Sequence, residues 1–219
     1  KVGEVVVSGG VRRSAMISLS NLSDQRMRHA KSGQWWETAP QMALSNNSVC
    51  YTDKPDGETF LREWTALVES KSGERGIFNR ISAKEQAKKF GRRDADHEFG
   101  TNPCSEIILR PYQFCNLTEV VIREKDKFED LKRKVMLATI LGTAQSTLTK
   151  FPYLRKVWKN NTEEERLLGV SLTGIMDNEL TSGKKHGLEK TLESLRQIAV
   201  ETNKEWAAIF GIPQSTAIT

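Results

Sequence analysis

Residues 188–210, LEKTLESLRQIAVETNKEWAAIF, place Leu188, Leu192, Leu195, Ile198, Thr202, Trp206 and Ile209 at three- and four-residue steps. That spacing gives a helix of about six turns one continuous apolar face. Gly211 then supplies a left-handed stop, and Pro213 blocks continuation. A helix of this kind must be covered by apolar partners. Residues 128–150 predict a second one, with Phe128, Leu131, Val135, Ala138 and Gly142 on one side. Residues 167–175 are apolar enough for a buried strand, and residues 114–122 predict a strand ahead of the first helix. Strands alternating with helices imply an α/β fold with a largely buried sheet.

The first half repeats the rhythm with shorter elements. Val5, Val6 and Val7 form a β-branched run closed by Ser8, Gly9 and Gly10, which predicts a strand entering a turn. Residues 15–19 predict the next strand. Residues 24–31 predict a helix with Ser23 or Asp24 as N-cap. A strand at 48–52 is followed by a turn at Lys54-Pro55-Asp56-Gly57. Residues 59–70 form an amphipathic pattern with Phe60, Trp64, Leu67 and Val68 expected to face the core. A short charged helix at 82–92 and a polar loop at 94–101 follow. Residues 105–109 predict a strand, and residues 163–166 a local helix. Trp35-Trp36 suits packing or an interface. Residues 72–76 suit a turn before the Ile77-Phe78 pair, and Thr173-Gly174 the end of a strand.

With 219 residues the chain can bury a substantial core, and 37% hydrophobic with 28% charged residues is ordinary for a water-exposed globular fold. The longest apolar run, at 135–141, falls far short of a bilayer span, so no membrane association is expected. No secretory signal opens the chain and Lys1 replaces an initiating Met, which suggests a piece of a longer protein. The net charge of +5 would suit polyanions. It is dispersed over Arg12-Arg13, Lys88-Lys89, Arg92-Arg93 and Lys184-Lys185, a pattern of solvated faces more than of a nucleic-acid footprint. Three cysteines without framework spacing exclude a disulfide-stapled fold and favour a reducing cytoplasm. Together with His29, His97 and His186 they match no zinc-site spacing, so no metal is expected.

Two of the three cysteines fall in GTNPCSEIILRPYQFCNLTEVVIR, residues 100–123. A lone cysteine ordinarily behaves as a small buried hydrophobe. Asn102, Pro103, Ser105 and Glu106 are poor surroundings for an inert thiol at Cys104. Proline pushes Asn102 towards an extended or turn conformation. If the segment is extended, alternation turns the side chains of Asn102, Cys104 and Glu106 to one side. An amide, a thiol and a carboxylate then share one space. Two chemistries remain open. A thiolate nucleophile needs a cationic or basic activator, for which His97 is the nearest histidine in sequence. A neighbouring carboxylate disfavours the thiolate. A thiol that exchanges a hydrogen atom tolerates the carboxylate but needs a radical cofactor.

Asn102-Pro103-Cys104-Ser105-Glu106-Ile107, followed by Phe114-Cys115-Asn116-Leu117-Thr118-Glu119-Val120, resembles the active-site segment of ribonucleotide reductase large subunits. Its Asn-Pro-Cys-x-Glu form most resembles the adenosylcobalamin-dependent class II enzymes, and the eleven-residue separation of the cysteines is the spacing of that family. Ser8-Gly9-Gly10-Val11-Arg12-Arg13-Ser14-Ala15 resembles the loop between the specificity-effector site and the substrate. Pro213-Gln214-Ser215-Thr216-Ala217-Ile218-Thr219 resembles the approach to the phosphate-binding segment.

The resemblance implies part of a ten-stranded α/β barrel with the catalytic cysteine on an internal finger loop, residues 1–219 being its central part, incomplete at both ends. It implies ribonucleotide reduction by thiyl-radical chemistry, with adenosylcobalamin and a dithiol reductant. Cys104 would carry the thiyl radical and Glu106 would act as base on the 3′ hydroxyl. Asn102 would bind substrate hydroxyls, and Cys115 would be one of two reducing thiols. Gly9, Gly10, Val11, Arg12, Arg13 and Ser14 would form the effector-responsive loop. Its partners would be a ribonucleotide, a nucleotide effector, a thioredoxin-type reductant and the remainder of the enzyme, with this stretch inactive alone. Cys50 is expected to be packing. Two alternatives stand beside this one: a class I large subunit served by a separate radical-generating subunit, and a basic nucleic-acid-binding or interaction module.

Overall fold

The computed structural model describes Glu4, residues 15–184 and residues 186–219. The expected strand at Val5 to Val7, its turn, the Gly9 to Ser14 loop and one member of the Lys184-Lys185 pair lie outside the described residues. The chain divides into two compact units, with the boundary between Pro111 and Tyr112.

The first unit carries a parallel sheet of β1 (Ile17–Ser20), β2 (Asn46–Tyr51) and β3 (Gly76–Asn79), in that order. β2 is central and buried from Asn47 to Tyr51, as a strand paired on both edges should be. Helices α1 (Gln25–Arg28) and α2 (Trp35–Thr38) follow β1. Asp24, not Ser23, is the cap: its carboxylate accepts the Met27 amide at 3.0 Å. α3 (Gly57–Ser70) starts the same way, with the Thr59 amide 2.9 Å from the Asp56 carboxylate. α4 (Arg80–Phe90) starts at Asn79, whose side chain accepts the Ser82 amide at 3.1 Å, and it stops at Gly91 with φ 62°. β4 (Gly100–Thr101) and β5 (Ile108–Leu109) then form a small antiparallel hairpin. Cys50, Phe78, Ala83 and Phe99 make the apolar core, with Leu19, Ala87 and Ile108 against it.

Charge does much of the packing in this unit. Glu63 on α3 is buried and binds Arg28 on α1 together with Arg75, whose Nε lies 2.9 Å from Oε2. Arg75 also donates to the Ser20 hydroxyl at 2.7 Å, which joins the network to β1. Lys31 donates to Glu74 at 2.6 Å and to the Ser45 carbonyl at 2.7 Å. This network overturns the expected orientation of α3. Glu63 and Ala66 point inward, while Phe60, Trp64 and Val68 are exposed. Two enclosed guanidiniums require a counter-charge, and turning Glu63 inward carries the apolar stripe outward. Phe60 and Trp64 stack on each other there, 6.3 Å apart.

The second unit begins with β6 (Asn116–Val121), followed by α5 (Phe128–Gln145), α6 (Lys156–Glu165), β7 (Leu168–Thr173) and α7 (Leu188–Phe210). β6 and β7 are parallel, in register from Asn116 with Leu168 to Val121 with Thr173. The chain end runs alongside β7: the Val170 amide donates to the Thr219 carbonyl at 2.8 Å, and the Thr219 amide to the Leu168 carbonyl at 3.0 Å. The core joins Val120 and Ile122 from the sheet side to Leu131, Val135 and Ala138 of α5 and Leu195 and Ala199 of α7.

α7 has the predicted bounds and ends at Gly211 with φ 65°. Its buried side also includes Asn203 and Ala207, while Leu192 and Ile209 are exposed. Asn203 sets that rotation. It accepts the Ser215 amide at 2.8 Å and donates to the Thr143 hydroxyl at 2.9 Å, which pairs polar groups that burial would otherwise penalise. α5 ends at Gln145, short of the expected 150. A Cβ at Gly142 would sit 3.4 Å from Thr118 Cγ2, so the small residue permits close helix–sheet contact.

Candidate active-site loop

Residues 102–107 cap the β4–β5 hairpin. The strand expected over 105–109 reduces to Ile108–Leu109, and the expected extended alternation is replaced by a turn. The Ser105 amide donates to the Asn102 carbonyl at 3.0 Å, and Ser105 has φ 63°. A four-residue turn therefore lifts Cys104, and the left-handed residue after it redirects the chain. Asn102 is the reason alternation fails. Its Oδ1 accepts the Ile107 amide at 3.1 Å, a side-chain closure that competes with strand pairing. Thr101 closes the neck, donating to the Ile107 carbonyl at 2.9 Å. Ile107 is buried beneath, while Cys104, Ser105 and Glu106 are exposed.

The supports of this loop were not legible as such. Asn46, at the start of β2, donates through Nδ2 to the Pro103 carbonyl at 3.2 Å. Arg93, expected in a solvated pair, donates to the Ile108 carbonyl at 2.7 Å and stacks on the Phe99 ring at 4.7 Å. Arg80 donates to the Phe99 carbonyl at 2.7 Å. The only sequence signal for these roles is arginine beside an aromatic within a polar stretch.

Among the described residues, no hydrogen bond or ion pair engages the Cys104 thiol or the Glu106 carboxylate. His97, the nearest candidate activator, meets Arg110 at 3.1 Å and Asp94 at 3.7 Å. The turn therefore presents a thiol and a carboxylate two residues apart. Asn102 commits its oxygen to the backbone, which leaves its NH2 group to donate.

Cys115 belongs to the second unit, half-buried just before β6. The next residue is fixed twice: Asn116 donates to the Leu167 carbonyl from its amide at 2.9 Å and from Nδ2 at 3.2 Å. Phe114 packs on Trp158 at 4.7 Å and Phe151 at 5.1 Å, so an aromatic cluster holds the approach to Cys115. Cys50 is buried in β2, and burial pushes its thiol pKa up. That is the behaviour of a packing thiol, as expected. Among the described residues no cluster of His, Cys, Asp and Glu could hold a metal ion, and no helix is long and apolar enough to cross a membrane.

The fold has a counterpart among solved structures. A B12-dependent class II ribonucleotide reductase matches all of this chain over 33% of its own, with a TM-score of 0.67 at 22% identity. The chain thus has the fold of part of such a reductase, in line with a portion of an α/β barrel. Among curated proteins, the adenosylcobalamin-dependent ribonucleoside-triphosphate reductase of Lacticaseibacillus paracasei is 34% identical over 186 residues, which is 80% of this chain. The enzyme of the same name from Lactobacillus leichmannii is 33% identical over 190 residues. By sequence the chain is similar to adenosylcobalamin-dependent ribonucleoside-triphosphate reductases. It spans 23% and 24% of the lengths of these two. No family model matches it.

Proposed function

We propose that this chain supplies the radical-cysteine segment of an adenosylcobalamin-dependent ribonucleotide reductase. The observation that carries the reading is the clasped turn of residues 102–107, with Cys104 and Glu106 exposed and free of cationic partners among the described residues. Adenosylcobalamin, when bound, supplies the one-electron chemistry that removes the hydrogen atom from the Cys104 thiol. A neutral thiol suits that role, because a hydrogen atom must be present to be removed.

The protein's own steps then follow. The Cys104 sulfur takes the 3′ hydrogen atom of the ribose, forming S–H and leaving a carbon radical. Glu106 accepts the 3′ hydroxyl proton. The 2′ hydroxyl leaves as water after protonation. Cys115 and a second cysteine supply two electrons and two protons, and they end as a disulfide. The 3′ hydrogen returns from Cys104, so the thiyl radical is regenerated. The balance is ribonucleotide plus two thiols giving deoxyribonucleotide, disulfide and water. The Asn102 NH2 group donates to a substrate hydroxyl.

In the same reading Gly9 to Ser14 form the effector-responsive loop, two glycines admitting close approach and Arg12-Arg13 offering planar donors. The substrate is a ribonucleotide, the disulfide is reset by a thioredoxin-type reductant, and the location is cytoplasmic. The test is Cys104→Ser in the complete reductase chain. Deoxynucleotide formation is expected to vanish while the circular dichroism spectrum stays unchanged. Retained reduction would overturn the assignment.

A further inference from the structure

We infer that Asn46 is a positioning residue for Cys104, acting through the Pro103 carbonyl; this rests on the reading of Cys104 given above. Asn46 opens β2, and its backbone is pinned by the β1–β2 pairing, with its amide 2.9 Å from the Met16 carbonyl. The side chain therefore starts from a rigid point. Its Nδ2 reaches 3.2 Å to the Pro103 carbonyl. That carbonyl belongs to the peptide group that also carries the Cys104 nitrogen, so the bond fixes the peptide plane entering Cys104.

The far side of the loop is held independently. Asn102 Oδ1 binds the Ile107 amide, and Thr101 binds the Ile107 carbonyl. Without Asn46, the turn would be closed at its neck and loose at its tip. With it, Cys104 is fixed from both flanks. Nothing in the packing asks for asparagine here. The side chain is exposed, and asparagine is depleted in strands. A residue that breaks a local preference without serving the core marks a functional constraint. Hydrogen-atom transfer depends on where the sulfur sits, and a misplacement of about 1 Å can cost about a hundredfold in rate.

The test uses the complete reductase chain and two variants. Asn46→Asp keeps shape but cannot donate; Asn46→Gln keeps the donor on a longer stem. Hydrogen exchange is read over residues 102–107 and over β1–β2, and steady-state rates are read with saturating nucleotide. For Asn46→Asp, loop exchange should rise roughly fivefold, the loss of about one hydrogen bond. The β1–β2 amides should be unchanged. The kcat should fall by roughly ten- to a hundredfold with KM for the nucleotide unchanged, and Asn46→Gln should recover part of both effects. Unchanged loop exchange or unchanged kcat in Asn46→Asp would overturn the inference. So would equal loosening of the β1–β2 ladder, which would make Asn46 a strand residue only. Reduction surviving Cys104→Ser would sink the catalytic reading alone, because the exchange response reports the clamp without turnover.

Discussion

The two units divide their interiors differently between apolar and charged groups. The second packs leucine, valine and isoleucine between two long helices and a parallel sheet, and it also buries Glu165 and Arg166. The first has a smaller apolar cluster and encloses Glu63, Arg28, Arg75 and Lys31. Apolar burial is non-directional, so it tolerates shape changes at a cost that grows with the cavity left behind. A buried ion network is directional and fails abruptly when one member is lost. The unit that presents the cysteine turn is the one held by directional bonds, from the Glu63 network through the arginines beneath the hairpin to the Thr101 and Asn102 clasp. The proposed role of Cys104 would call for that kind of scaffold.

The contrast can be broken by substitution. Glu63→Gln should destabilise the chain by about 3–5 kcal/mol in chemical denaturation, because it leaves two enclosed guanidiniums unbalanced. A change below 1 kcal/mol would mean that water reaches the network and the contrast is false. Leu131→Ala, at the centre of the second unit's core, should cost about 2–5 kcal/mol. Its loss should be graded, with Leu131→Ile milder, whereas Glu63→Asp should be nearly as harmful as Glu63→Gln.

The smallest effect concerns Asp126. Its hydrogen bond from Lys134 and that from the Arg123 amide hold its carboxyl below the usual aspartate range. A depressed folded pKa contributes stability above the ordinary aspartate pKa and loses it as pH falls through the folded value. Asp126→Asn should therefore lower the melting temperature slightly at neutral pH and flatten the acid limb, the difference from the parent chain shrinking as pH falls through the folded Asp126 pKa. A difference that grows towards acid pH would contradict this.

Long periodic elements were legible, and short polar ones were not. α7 was found at its observed bounds, and the α5 face was correct at Leu131, Val135, Ala138 and Gly142. There the 3.6-residue period and the core agree. α3 was found as a helix but faced wrongly, because periodicity weighs Phe60, Trp64 and Val68 as apolar and cannot see two arginines elsewhere in the chain claiming Glu63. Asn102, Pro103, Cys104 and Glu106 mark the cysteine loop as a candidate site in the sequence. Its conformation was not legible there: the Asn102 side chain closes on Ile107 and Asn46 reaches the loop from 57 positions away. Local sequence carries no record of such contacts.

The sequence by itself determined the α/β rhythm, the long helices with their stops, and the cysteine–carboxylate pairing that resembles the reductases. Those are properties of neighbours along the chain: period, cap and motif. The tertiary structure decided which way α3 faces, that Cys104 rides a clasped turn and not an extended strand, and which residues hold it there. These depend on hydrogen bonds and charges between distant segments, whose partners exist only once the chain has folded.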